Sequence, residues 1–118
     1  MYTEPPAALY HQGTHQLTVN EMTIPVAGAT VSPEFFTVAG VQPLLGRLFI
    51  EGEYQSASDV IVLSHQLWTE RFDSTPEVIG REVTIDDRPR RVVGIIPSGF
   101  SFPGSTQVWM PGQPAGAF

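Results

Sequence analysis

Proline and glycine punctuate this chain so densely, with 11 of each among 118 residues, that no regular element can run far before a turn or a stop. The most apolar stretch, residues 35–50, is interrupted by Pro43 and Arg47. It falls short of the roughly 20 apolar residues that a membrane-crossing helix needs. Many short strands and turns around one core are therefore expected, in a length that suits a single domain. The first residues show neither the basic nor the apolar region of a secretory leader, and the last ones read as a loop. Both ends are expected to be cut from something longer, with residues 1–15 and 112–118 loosely ordered.

Alternation of apolar and polar residues begins at Gln16. Leu17 and Val19 share one phase, Met22, Ile24 and Val26 take the other, and the slip at Asn20 and Glu21 predicts a hairpin or a bulge. Pro25 cannot donate to a ladder, which puts its strand at an edge or turns its nitrogen to solvent. Residues 32–40 carry helix punctuation, with Ser32 as N-cap, Pro33 in the first turn, Glu34 at the positive end of the dipole and Gly40 as the stop. Residues 60–63 form a continuous apolar run of strand length. Ser64 then caps a helix over 65–72, in which Trp68 and Phe72 meet at i and i+4 on the buried face. Val83 and Ile85 point inward on a strand that turns at Asp86 and Asp87 and returns over 90–96. A last strand is expected at 107–110. With local hairpins and two short helices, the pattern predicts a small α+β domain with a mixed, mostly antiparallel sheet.

The formal net charge is −6, from 12 acidic against 6 basic residues, all six of them arginine. Such a balance disfavours nucleic acid as a partner, because affinity for phosphate needs a basic surface. The absence of cysteine excludes a disulfide framework, a thiolate zinc site and a cysteine nucleophile, without deciding the compartment.

Several constellations invite a chemical reading. His11 and His15 stand at HxxxH spacing, but Gly13 between them and Pro5 and Pro6 upstream argue against a helix, so they read as exposed loop histidines rather than zinc ligands. Ser64 and His65 lie near Asp59, yet sequence neighbours rarely converge as a triad and no G-x-S-x-G elbow is present. Residues 51–59 hold three carboxylates without the order of a calcium loop, so a solvated acidic loop is expected. Arg88, Arg90 and Arg91 cluster beside Asp86 and Asp87, where local neutralisation competes with contact to a partner. Phe100 and Phe102, one residue apart in a Gly/Pro loop, either plug the core or form an exposed contact surface, and the nearness of Trp109 favours the core. Phe100, Phe102, Arg88, Arg90 and Arg91 are thus the candidate partner contacts. No catalytic residue, cofactor or metal is expected.

Taken in order, residues 31–49 (VSPEFFTVAGVQPLLGRLF), 60–72 (VIVLSHQLWTERF), 78–85 (VIGREVTI), 91–97 (RVVGIIP) and 108–111 (VWMP) resemble the periplasmic core domain of MacB/FtsX-type ABC transporter permeases. Within that family the chain resembles the duplicated permeases that lack a fused ATPase. The resemblance runs over residues 31–111, with Asp87 where the family frequently has glycine. It implies the smaller α/β lobe of a MacB-like periplasmic domain, held at the outer face of the bacterial inner membrane by transmembrane segments that this chain lacks. It also implies a role in export through partner contact and mechanical coupling, without catalysis. The implied partners are the membrane segments and second lobe of the same permease, a cytoplasmic ABC ATPase acting indirectly, and a periplasmic adaptor. The residues by themselves leave two other readings open: a free-standing ligand-binding module, which requires an enclosed apolar pocket, and a small hydrolase using Ser64 and His65.

Overall fold

Asn20 and Glu21 both adopt left-handed backbone, with φ of 52° and 65°, the pair of positive angles that a two-residue hairpin turn requires. In the computed structural model, which describes residues 10–56 and 59–112, this turn joins β1 (Tyr10–Val19) to β2 (Met22–Val31). Their antiparallel register is unbroken from Val19↔Met22 to Tyr10↔Val31. The chain continues through α1 (Phe35–Ala39), β3 (Leu45–Gly46), α2 (Glu51–Ser56), β4 (Val60–Leu63) and α3 (His65–Phe72). A single 3-10 turn, Pro76–Val78, leads into β5 (Glu82–Ile85), β6 (Arg88–Ile95) and β7 (Val108–Pro111).

The strands follow the order β3-β6-β4-β7-β2-β1-β5, and β5 pairs again with β6. The sheet is therefore a closed barrel, which corrects the expectation of a simple mixed, mostly antiparallel sheet. The strand directions are mixed as expected, with β2–β7 and β4–β6 parallel and the other pairs antiparallel. Closure comes from β6, whose first half pairs with β5 while its second half pairs with β4 and β3. A register shift at Ile61 and Val62 bends the β4–β6 ladder, as a bulge does where a sheet must curve. The barrel is sealed where β1 meets β5 at Leu17↔Ile85 and Thr18↔Thr84.

Side chains alternate between two cores, as the two-residue strand period demands. Inside the barrel, Leu17, Val26, Ile61, Leu63, Val83, Ile85, Val92, Ile95, Val108 and Met110 meet Leu67, Trp68 and Phe72 of α3. Outside it, Ala29, Val31, Val62, Val93 and Trp109 carry Phe35 and Phe36 of α1, together with Phe49 and Tyr54. Ser64 caps α3 as expected, its hydroxyl accepting from Leu67 N–H at 3.1 Å. Trp68 is 8% exposed and donates from Nε1 to the Thr75 carbonyl at 2.9 Å.

Three local expectations are revised. Residues 10–15, placed in a loose lead-in, form the first half of β1, because β2 supplies the ladder that their polar side chains did not announce. Helix α1 begins only after Glu34, and Ser32 donates to the Glu34 carboxylate at 3.2 Å instead of capping; Gly40, at φ 70°, ends it as expected. Residues 51–56 are helical rather than a solvated loop. Glu53 explains this: its carboxylate accepts the Ile50 N–H at 3.0 Å while its own N–H reaches the Ile50 carbonyl. That is half of a capping box, built on an isoleucine that offers no side-chain oxygen to advertise it.

Candidate functional site

The segment between β6 and β7 carries the two phenylalanines, and polar bonds at its base hold it to the barrel. Trp109 Nε1 donates to the Phe102 carbonyl at 3.1 Å, Thr106 N–H reaches the Ser101 carbonyl at 2.9 Å, and the Thr106 hydroxyl donates to the Pro103 carbonyl. The Ser101 hydroxyl closes the loop on the Gly104 carbonyl at 3.1 Å. Downstream, Gln107 ties the loop to β2, donating its N–H to the Ala27 carbonyl and accepting the Ala27 N–H on Oε1.

Held in this way, Phe100 stacks on Trp109 with centroids 5.9 Å apart, and Phe102 stacks on Phe35 at 6.2 Å. Tyr10 presents its edge to Phe102 at 5.2 Å. Both phenylalanines are half-buried against the outer core. Their exposed portions line a surface groove of about 610 Å³ with Ala39, Gly40 and Val41 at the end of α1. The two alternatives for these rings therefore merge: each ring anchors in the core and shows one side at the surface. Val38 of α1 and, after the helix, Leu44 and Ile50 are exposed apolar side chains.

The arginine cluster is divided by strand alternation. Arg88 and Arg90 lie opposite Ile85 and Val83 and so share the inner side of the barrel, whereas Arg91 lies opposite Glu82 on the outer side. Arg88 Nε pairs with Asp59 Oδ1 at 2.8 Å, so its neutralising partner comes from β4's leading edge and not from the adjacent turn. Asp86 is engaged elsewhere, with His15. Arg90 Nε is buried without a hydrogen-bond partner among the described residues. Burial pulls the Arg90 guanidinium down from its usual range, Asp59 and Asp86 acting to raise it and Arg88 to lower it further.

Arg91 lines a groove of about 490 Å³ with Arg47, Glu53, Asp59 and Glu82. Within it Arg47 grips Glu53 with both Nη atoms, at 3.0 and 2.9 Å. This bond holds the Glu53 carboxyl below its usual range against the opposing effect of burial. Burial, with the charges of Glu53 and Glu34, pushes the Tyr54 hydroxyl up to about 12. This charged groove and the phenylalanine groove share no residue.

The other singled-out residues do not converge on a reaction centre. Ser64 is buried with its hydroxyl committed to the helix cap, while the His65 ring lies against Trp68 at 5.6 Å. His11 and His15 sit on β1, and among the described residues no group of three metal-ligating side chains comes together. Sequence reasoning missed the Arg47–Glu53 and His15–Asp86 pairs. The first carried the spacing of a cap around Ile50 as its signal; the second, 71 positions apart, carried none.

A small mixed barrel with anchored aromatic and charged surfaces is the class of protein that this geometry defines. The sequence profile of the MacB-like periplasmic core domain matches residues 6–118, and the chain belongs to that family. It is 25% identical over 99 residues to the macrolide export ATP-binding/permease protein MacB of Escherichia coli (strain K12), a match that covers 81% of this chain and 15% of that protein. The MacB of Shigella dysenteriae serotype 1 (strain Sd197) shows the same identity and coverage. Among solved structures, the extracellular domain of the noncanonic ABC-type transporter YknZ from Gram-positive bacteria superposes with a TM-score of 0.75 at 16% identity, covering 87% of this chain and 52% of that one. The periplasmic region of MacB from Actinobacillus actinomycetemcomitans gives 0.74 at 21% identity, covering 87% and 46%. These likenesses establish the fold. No helix among the described residues is long and apolar enough to cross a membrane.

Proposed function

We propose that this chain is the smaller lobe of the extracytoplasmic domain of an ABC transporter permease, acting in export by partner contact and mechanical coupling. The observation that carries this reading is the family match over residues 6–118. The lobe assignment draws on coverage, since the chain spans about half of the solved domains it superposes on. A barrel closed on itself, with Leu67, Trp68 and Phe72 of α3 packed into its core, suits a rigid body that transmits motion, because close-packed interiors resist deformation. In this reading the domain lies on the periplasmic side of the inner membrane, joined to transmembrane segments and a second lobe of the same permease. A cytoplasmic ABC ATPase supplies the energy, and a periplasmic adaptor is the external partner. Phe100 and Phe102 in the anchored groove, with Arg88, Arg90 and Arg91 on the β5–β6 hairpin, are the contact residues.

The gene around this segment tests the assignment: it should encode transmembrane helices on both sides in the same frame, and unrelated genes bracketing a genuine start and stop would end it. For the contact residues, Phe100→Ser combined with Phe102→Ser in the membrane-inserted permease should lower transport while the protein stays assembled. Transport at the unsubstituted rate would remove these rings from the contact surface.

A further inference from the structure

Tyr10 and Gln12, alternate residues of β1 and so on one face of it, both meet the loop that carries the two phenylalanines. The Tyr10 ring stands edge-on to Phe102 at 5.2 Å and to Phe35 at 5.9 Å. Gln12 Nε2 lies 3.2 Å from where a Cβ on Gly104 would stand. Phe102 and Gly104 line the phenylalanine groove, so the chain upstream of Tyr10 sets out from that part of it. Phe100 and Phe102 each make a further interaction besides their ring contacts with Tyr10, Phe35 and Trp109.

Residues 1–9 read MYTEPPAAL. Pro5 and Pro6 fix their own backbone at φ of about −65° and hold Glu4 extended, so this segment has little conformational freedom left to lose. Aromatic-lined grooves take up such proline-rich segments, proline ring against aromatic ring. Polarity matches as well. None of the residues lining the groove is charged, and Glu4 is the only charged side chain among residues 1–9. The groove around Arg91, lined by five charged side chains, suits such a segment poorly. We propose that residues 1–9 lie along the phenylalanine groove as a strap, with Pro5 and Pro6 against the sides that Phe100 and Phe102 show at the surface.

The reach is sufficient. At about 3.1 Å per residue in the extended polyproline conformation, the five residues from Leu9 back to Pro5 carry the chain about 15 Å from Tyr10. The Phe102 and Phe100 rings lie 6.2 and 6.4 Å from Phe35, which Tyr10 itself touches, so both fall within that span. The consequence for function rests on the reading of Phe100 and Phe102 as contact residues. A partner then gains these rings only by displacing residues 1–9, and its apparent affinity is reduced by the fraction of time the groove is open.

The chain has no cysteine, so one introduced at position 3 accepts a single nitroxide label. In the full chain, a label on Thr3→Cys should broaden the amide signals of Gly40, Val41 and Gly99 more strongly than those of Glu82 and Arg91 in the charged groove. Pro5→Asp combined with Pro6→Asp adds two charges that the uncharged groove cannot pair, and the broadening at Gly40, Val41 and Gly99 should be lost. Signals that stay sharp at these three residues, or broadening that persists unchanged in the double variant, would overturn the proposal. A label on Ala115→Cys separates the two ends of the chain: broadening of the groove from position 115 with none from position 3 would seat residues 113–118 there and overturn it likewise. The label decides the strap alone, whereas transport by the Phe100→Ser, Phe102→Ser permease decides the contact reading, so the failure of one is distinguishable from the failure of the other.

Discussion

His15 Nδ1 lies 2.6 Å from Asp86 Oδ2, which ties β1 to the tip of the β5–β6 hairpin beside the short seam where β1 meets β5. The other carboxylate oxygen of Asp86 takes the Gln16 N–H, so one side chain extends the ladder past the last residue of β5. Asp86 occupies the first left-handed position of its turn, with φ 53°, a conformation that Asp tolerates better than most residues.

The seam should weaken in acid. The His15 and Gln16 hydrogen bonds hold the Asp86 carboxyl below its usual value of 3.8. A carboxyl depressed in the folded state contributes stability that is complete above the unfolded value and disappears as pH falls through the folded one. The denaturation midpoint should therefore drop below about pH 4, and Asp86→Asn should flatten part of that drop. Glu53, lowered by Arg47, has the same sign and accounts for a further part. Urea titrations across this range, with each variant separately, measure the two shares; an Asp86→Asn profile parallel to the wild type would show that the clasp does not contribute.

Gly94 should resist any side chain. A Cβ built there would lie 2.1 Å from the Arg47 carbonyl oxygen, where β3 crosses β6. That neighbour is backbone and cannot rotate away, so Gly94→Ala should cost about 3 kcal/mol or more. Gly52, by contrast, sits in α2 with nothing within 4 Å of the added carbon, and Gly52→Ala should gain about 0.5 to 1 kcal/mol from helix propensity. Thermal melts of the two variants should move in opposite directions.

Trp68 joins α3 to the barrel interior through both its ring and its indole N–H. Trp68→Ala should destabilise the domain by about 3 to 5 kcal/mol. Trp68→Phe keeps much of the packing and loses the bond to the Thr75 carbonyl, for about 1 kcal/mol together with some lost contact area. Chemical denaturation of the pair separates packing from hydrogen bonding; equal losses would mean that the indole N–H carries the whole effect.

Glu53→Gln should loosen α2 specifically. The amide can still accept the Ile50 N–H, but it loses the charge-assisted, two-pronged bond with Arg47, which is about one-half exposed on the arginine side. Solvent screening keeps the expected loss to about 1 kcal/mol. Faster amide exchange confined to residues 50–56 would mark it.

Much of this fold announced itself locally. The phase slip at Asn20 and Glu21, the paired aspartates at 86 and 87, the Ser64 cap and the Gly40 stop each act through their own backbone or a near neighbour, so they could be read from short windows of sequence. Helix α2 escaped that reading because its capping residue is Ile50, whose contribution is a backbone N–H that any residue possesses. The first half of β1 escaped because a strand of Tyr, His, Gln, Gly and Thr shows no apolar alternation, and only β2 makes it a strand.

By itself, then, the sequence determined the hairpins, the two principal helices, the aromatic anchors and the family to which the chain belongs, since all of these reside in residue types at fixed short spacings. Tertiary structure alone decided that the sheet closes into a barrel and that Arg88 and Arg90 turn inward while Arg91 turns out. These features depend on where strands distant in sequence stop pairing, as at Leu17 against Ile85. Register between such strands is fixed by three-dimensional packing and by contacts such as His15 with Asp86, which leave no periodic trace along the chain.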